Sequence, residues 1–203
     1  MSYDTFRSND MRRERILAEY LDIKLYGQEI FENVRRTNEI EDQLKGSDIV
    51  LSIPIKEVFN AIIDEKAQLY YLDGGLPTFA FELNFVNKNG ERVEGWLTDE
   101  SKSTTFYQLL FLTAEKDFES VDQIEKVEYI LIKKEEILKF IALDLAILRR
   151  KGIEVSKSED FRQFREQSIP YYFTHSTQLA ESPVNIIIRK NKLIELSFLH
   201  GNV

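Results

Sequence analysis

The chain has 203 residues, a net charge of −8, 43% hydrophobic and 12% aromatic residues, and no cysteine. That composition suits one medium-sized globular domain, residues 1–203, and excludes disorder, collagen-like repeats, disulfides, thiol catalysis and cysteine-based zinc sites. The acidic balance leaves no dominant positive field, no apolar run reaches the roughly 18 residues of a membrane span, and the polar start from Met1 to Arg15 is unlike a signal peptide, so the expectation is a soluble cytoplasmic protein.

In chain order, Ile16, Leu17, Tyr20, Leu21 and Leu25 recur at helical spacing, which predicts a helix over 10–25 with Asp10 as its N-cap and Gly27 as its stop. Residues 31–34 read as extended, and 38–45 are too polar for a buried element. The β-branched run 48–53 reads as a strand that Pro54 stops, followed by one helical turn or a loop and a second strand over 62–71. Gly74, Gly75 and Pro77 make a turn. Phe79, Phe81, Leu83 and Phe85 then alternate with polar or small residues as a third strand, which Asn87–Gly90 connects to a fourth over 92–97. For 104–114 the spacing of Phe106, Leu109, Leu110 and Thr113 favours helix over strand. Val127–Ile132 reads as a strand and 135–150 as one long helix ending before Gly152. A hairpin over about 183–199 closes the chain. This order predicts an α/β or mixed α+β protein, not the regular alternation of a doubly wound nucleotide-binding domain.

Several chemistries fail on residue types alone. Gly90 and Gly95 are followed by Trp96-Leu97, where a phosphate loop needs Lys and Ser or Thr. His175 and His200 have no partner four residues away, which excludes the zinc-protease pattern, and no Gly-x-Ser-x-Gly elbow exists. Trp96 reads as packing, and Tyr70, Tyr71, Tyr171 and Tyr172 are aromatic pairs of a kind that flank grooves.

One constellation remains. Asp48 opens the first strand of the 48–53 run, and Asp64-Glu65-Lys66 lies inside the second. Residues two apart on a strand share a face, so Asp64 and Lys66 point together and Glu65 points away. Two carboxylates and the Glu65 carbonyl form an all-oxygen set suited to Mg²⁺, with Mn²⁺ as substitute, and a neighbouring lysine can orient water or offset phosphate charge. The same Asp/Glu-x-Lys spacing at Asp22-Lys24 and Glu100-Lys102 falls in a predicted helix and a predicted loop. The alternative for Asp64 and Lys66 is a charge pair on a solvated strand.

Through Asp42-Gln43-Leu-Lys-Gly46-Ser-Asp48, Asp64-Glu65-Lys66, Thr78–Glu82 and Gly95-Trp96-Leu97, the chain resembles the PD-(D/E)XK nuclease superfamily, although Ser47 stands where the proline of the name would be. The resemblance implies a restriction-endonuclease-like fold, a central mixed sheet flanked by helices. It also implies Mg²⁺-dependent endonuclease hydrolysis of phosphodiesters in DNA, double-stranded before single-stranded, with a second copy of the chain as a candidate partner. Asp48 and Asp64 would be metal ligands with the Glu65 carbonyl, and Lys66 the catalytic lysine. Glu14 or Glu19 would add an acid from the first helix, and Glu82 is a further candidate. The basic clusters Arg12-Arg13-Arg15, Arg35-Arg36 and Arg189-Lys190-Lys192 would supply phosphate contacts. The alternative readings are a non-catalytic protein of that fold and an α+β module for protein or nucleic-acid binding.

Overall fold

A computed structural model describes residues 3–37, 44–158, 170–179 and 181–203, among which ten strands form two separate sheets and four helices accompany them. Helix α1 spans Tyr3–Lys24, and strands β1 (Glu32–Arg36), β2 (Ile49–Ile53) and β3 (Val58–Ala67) follow. Next come β4 (Thr78–Val86), β5 (Arg92–Glu94), β6 (Phe106–Ala114) and β7 (Ile124–Lys133), then α2 (Lys134–Ile141) and α3 (Leu145–Ser156). The chain ends with β8 (Tyr171–His175), β9 (Val184–Arg189), α4 (Lys190–Glu195) and β10 (Leu199–Asn202). The protein is therefore mixed α+β. Among the described residues no helix is long and apolar enough to cross a membrane.

Two compact units share the chain. The first comprises Met1–Leu76, Thr104–Lys133 and Ser197–Val203, and the second Pro77–Ser103 and Lys134–Leu196. The first unit holds a six-stranded sheet in the order β1-β2-β3-β6-β7-β10, mixed because β3 and β6 are parallel while the other neighbours are antiparallel. A parallel pair needs a crossover, and here the excursion through the second unit at 77–103 supplies it. Helix α1 lays Ile16, Leu17, Tyr20 and Leu21, and the turn after it Leu25, into one core with Ile49, Leu51 and Ile63 of β2 and β3 and Leu110 and Leu112 of β6. Each such side chain removed from water contributes about 1.5–3 kcal/mol.

The second unit is built on an antiparallel sheet in the order β5-β4-β9-β8. Phe79, Phe81 and Leu83 are buried in it, as their alternation predicts, and Trp96 packs on Phe81 with ring centroids 5.3 Å apart.

Several expectations change. The segment expected to be helical over 104–114 is instead strand from Phe106 to Ala114: Phe106 to Leu112 are buried without interruption in the middle of the large sheet, and a strand buried on both faces loses its period of two. The long helix over 135–150 is two helices. Ala142 takes φ 55°, and the Asp144 carboxylate then caps α3 by accepting the Ile147 N–H at 2.8 Å. Gly152 lies inside α3 rather than beyond a helix end; a Cβ there would stand 2.5 Å from the Asn84 amide nitrogen, so glycine permits that close approach. The expected hairpin over 183–199 is absent. Its first half pairs with β4 and β8, residues 190–195 turn into α4, and the last strand joins β7 in the other sheet. Asp10 is within α1 and caps nothing. The second strand starts at Val58 and ends at Ala67, and the fourth stops at Glu94. Asp42 and Gln43 lie outside the described residues.

Candidate functional site

The entry to β2 is held in place before Asp48 is reached. Gly46 takes φ +70°, a conformation open to glycine at little cost, and its carbonyl accepts the Thr104 hydroxyl at 2.7 Å. The Thr37 hydroxyl donates to the Ser47 carbonyl. Asp48 then donates its N–H to the Ile63 carbonyl at 2.9 Å and accepts the Thr37 N–H at 2.9 Å on its own carbonyl. Because Ile49 pairs with Ile63 in an antiparallel ladder, one step outward sets Asp48 opposite Asp64.

Three groups thereby come together. One Asp48 carboxylate oxygen accepts the Glu65 N–H at 2.7 Å. Lys66 Nζ donates to Asp64 Oδ1 at 2.5 Å, and Asp64 is only 2% exposed. Burial and then the Asp64 charge push the Asp48 carboxyl up to about 7, against the opposing pull of Lys66 and the Glu65 N–H. A cation between the two carboxylates would relieve this repulsion.

Glu65 has a different role from its neighbours. Tyr26 Oη donates to one of its carboxylate oxygens at 2.8 Å and Arg36 Nη1 to the other at 2.6 Å. Arg36 also grips Asp22 with Nε at 3.1 Å and Nη2 at 2.7 Å. Burial opposes the Arg36 charge, but the Asp22 and Glu65 bonds more than offset it, and the arginine pKa rises. Burial, followed by Glu65, raises the Tyr26 hydroxyl well above its usual range. Four side chains from α1, the turn after it, β1 and β3 thus fix the β3 backbone whose N–H holds Asp48. Sequence reasoning missed this network, although the Arg35-Arg36 pair had been singled out for phosphate contact.

Beside these groups opens a cleft of about 450 Å³, lined by Glu14, Arg15, Arg36, Asp48, Glu65 and Lys66 over an apolar floor that includes Leu17, Leu21 and Leu110. Of the two acids proposed from α1, Glu14 lines the cleft and Glu19 does not. The Glu14 side chain is exposed by area, yet burial of its carboxyl against the cleft and then Asp10 raise its pKa while Lys66 lowers it.

Other candidates are engaged elsewhere. Arg12 pairs with Glu119 at 2.8 Å, Arg13 with Asp117, and Lys192 with Glu195 at 2.6 Å. Glu82 and Trp96 belong to the second unit. His175 meets the Ser158 carbonyl at 2.6 Å and the Ser182 hydroxyl at 2.9 Å, a buried structural histidine.

The donor set fits a hard divalent cation of the Mg²⁺ kind, which is commonly held by one or two carboxylates with water and substrate phosphate completing the shell. Among the described residues no group of three or more His, Cys, Asp or Glu side chains is arranged to hold a metal. In comparisons with known proteins, no family model, no curated protein and no solved structure matches this chain.

Proposed function

We propose that the first unit is a divalent-metal-dependent nuclease of the PD-(D/E)XK kind, hydrolysing phosphodiester bonds in DNA. The observation that carries this reading is the register of β2 on β3, which sets Asp48 opposite Asp64 while Lys66 reaches the Asp64 carboxylate. Asp48, Asp64 and the Glu65 carbonyl would hold Mg²⁺ or Mn²⁺. When bound, such an ion acts as a Lewis acid on the phosphate and lowers the pKa of water.

The chain's own residues would do the rest. Asp48 is oriented by the Glu65 N–H, so its carboxylate is fixed before any ligand arrives. Lys66 is kept at the cleft by its bond to Asp64, where its ammonium can orient a water or stand against charge developing on the phosphate. The Tyr26–Glu65–Arg36 network holds the β3 backbone at this geometry.

Cleavage of plasmid and of single-stranded DNA with Mg²⁺, Mn²⁺ or EDTA tests the proposal. Lys66→Ala should lower the divalent-dependent rate by about 10²-fold or more, while DNA affinity measured in Ca²⁺ falls far less. Lys102→Ala, the same spacing outside a strand, should cleave like wild type. Equal cleavage by Lys66→Ala and wild type would refute the role of this lysine. The buried Asp64 carboxylate already bonded to Lys66 favours one second reading, a DNA-binding module of the same fold without catalysis, which predicts binding with no divalent-dependent cleavage.

A further inference from the structure

Next to the cleft, α1 and the segment after β3 display apolar surface that no core explains. Tyr70 is 61% exposed and Met11, which lines the cleft, is 63% exposed. An exposed tyrosine is ordinarily free to change rotamer, but this one is held. Its hydroxyl donates to the Asp10 carboxylate, and the Arg13 guanidinium carbon lies 6.0 Å from its ring centroid. Arg13 is itself only 9% exposed, paired with Asp117 and 3.5 Å from the Leu69 carbonyl oxygen, so the support beneath the ring is rigid. The ring therefore presents its surface in one orientation, and the entropy of ordering it is already lost on folding.

The charges around it are sorted as well. Arg12, Arg13 and Arg36 each pair with a carboxylate, whereas Arg15, exposed and lining the same cleft, has no ion-pair partner among the described residues. Leu69, one residue before Tyr70, also lines the cleft, as does Lys66.

We infer that Tyr70, with Met11 and Arg15 in the lining of the adjoining cleft, forms a subsite for an unpaired nucleobase and its phosphate, so that the strand entering the cleft is single-stranded nucleic acid. This deepens the proposed nuclease reading and rests on it for the direction of the strand toward Lys66. A duplex hides its base faces and leaves an exposed ring nothing to stack on. A single strand can turn a base onto the tyrosine ring and leave one phosphate for Arg15, the combination by which proteins commonly hold single strands. The soft thioether of Met11 suits the edge of a stacked base.

The test measures binding of a fluorescein-labelled oligothymidylate of roughly ten nucleotides, within the usual site size for single-strand binders, by fluorescence anisotropy with Ca²⁺ in place of Mg²⁺. Matched arms use the duplex, the RNA of equivalent sequence, and the same DNA strand with abasic positions. Tyr70→Ala should weaken single-strand binding about tenfold or more, the usual scale for one base–aromatic stack. Tyr70→Phe, which keeps the ring, should stay within about threefold of wild type on the same scale. The abasic strand should bind wild type weakly and be nearly indifferent to Tyr70→Ala, and Arg15→Ala should flatten the salt dependence by about one charge. A melting curve confirms that each variant is folded. Equal affinity of Tyr70→Ala and wild type, preference for the duplex, or no binding to any strand would overturn the inference. Tyr70-dependent binding without divalent-dependent cleavage would leave the subsite standing and remove the nuclease reading. Cleavage that ignores Tyr70 would do the reverse.

Discussion

Replacing Asp48 with asparagine removes a charge that the folded chain holds at a cost. The carboxyl rises from an ordinary 3.8 to about 7 on folding, because it is buried and then because Asp64 faces it. At about 1.4 kcal/mol per tenfold in proton affinity, the gap has a ceiling of about 4 kcal/mol. Asp48 is only half-buried by area, so solvent screening brings the expected effect to about 2–3 kcal/mol. Asparagine keeps an oxygen for the Glu65 N–H, and little hydrogen bonding is lost with the charge.

The sign follows from proton counts. Between pH 3.8 and about 7 the folded wild type binds more protons at this site than the unfolded chain does, so this group makes wild type lose stability as pH rises through that window. The variant has no such loss. Asp48→Asn should match wild type near the acid end and exceed it by the full amount at about pH 8 in EDTA. The one tryptophan, Trp96, lies in the second unit, so its fluorescence reports the wrong part of the chain. Amide hydrogen exchange of β3 reads the unit that contains Asp48. Adding Mg²⁺ should erase or reverse the difference, since only wild type keeps both carboxylates. A stability difference independent of pH, or one that favours wild type as pH rises, would refute this reasoning.

Two other substitutions probe what surrounds the site. Tyr26→Phe keeps the ring contact with Phe31 and the Arg36 guanidinium but leaves one Glu65 oxygen without its hydroxyl donor. It should cost about 1–3 kcal/mol and weaken Mn²⁺ binding measured by calorimetry, and unchanged stability would show that the bond contributes nothing. Leu21→Ala, at a fully buried position on α1, should cost about 2–5 kcal/mol in denaturant unfolding, and a loss below about 1 kcal/mol would mean that α1 is not packed as described.

The features read correctly from sequence are those whose cause is local. The alternation of Phe79, Phe81 and Leu83 marks a half-buried strand because the causes of burial lie within the strand itself. The spacing of Asp48, Asp64 and Lys66 could be noticed for the same reason: two strands joined by a short connection leave few registers. Residues 106–112 misled because burial on both faces erases the period of two, and its cause lies in elements distant in sequence, such as α1, whose apolar residues share a core with Leu110 and Leu112. The break at 142–144 was hidden under a continuous apolar pattern, and the Asp144 cap outweighed it. The grip of Tyr26 and Arg36 on Glu65 was illegible because it joins residues separated by 39 and 29 positions. No pattern in a single sequence shows which side chains will meet across three elements.

The interleaving of the two units has a consequence for the order in which the protein can be completed during synthesis. The chain passes between units four times, at 76–77, 103–104, 133–134 and 196–197. Strand β4 waits for its partner β9 until about a hundred further residues have left the ribosome, and β7 waits for β10 until residues 199–202 emerge. Until then both sheets carry an open edge with unpaired backbone groups, the exposure that makes nascent chains sticky. Neither unit can be made as one uninterrupted stretch, so a ribosome-bound chain stalled before β9 holds two unfinished sheets rather than one finished domain and one unfolded tail.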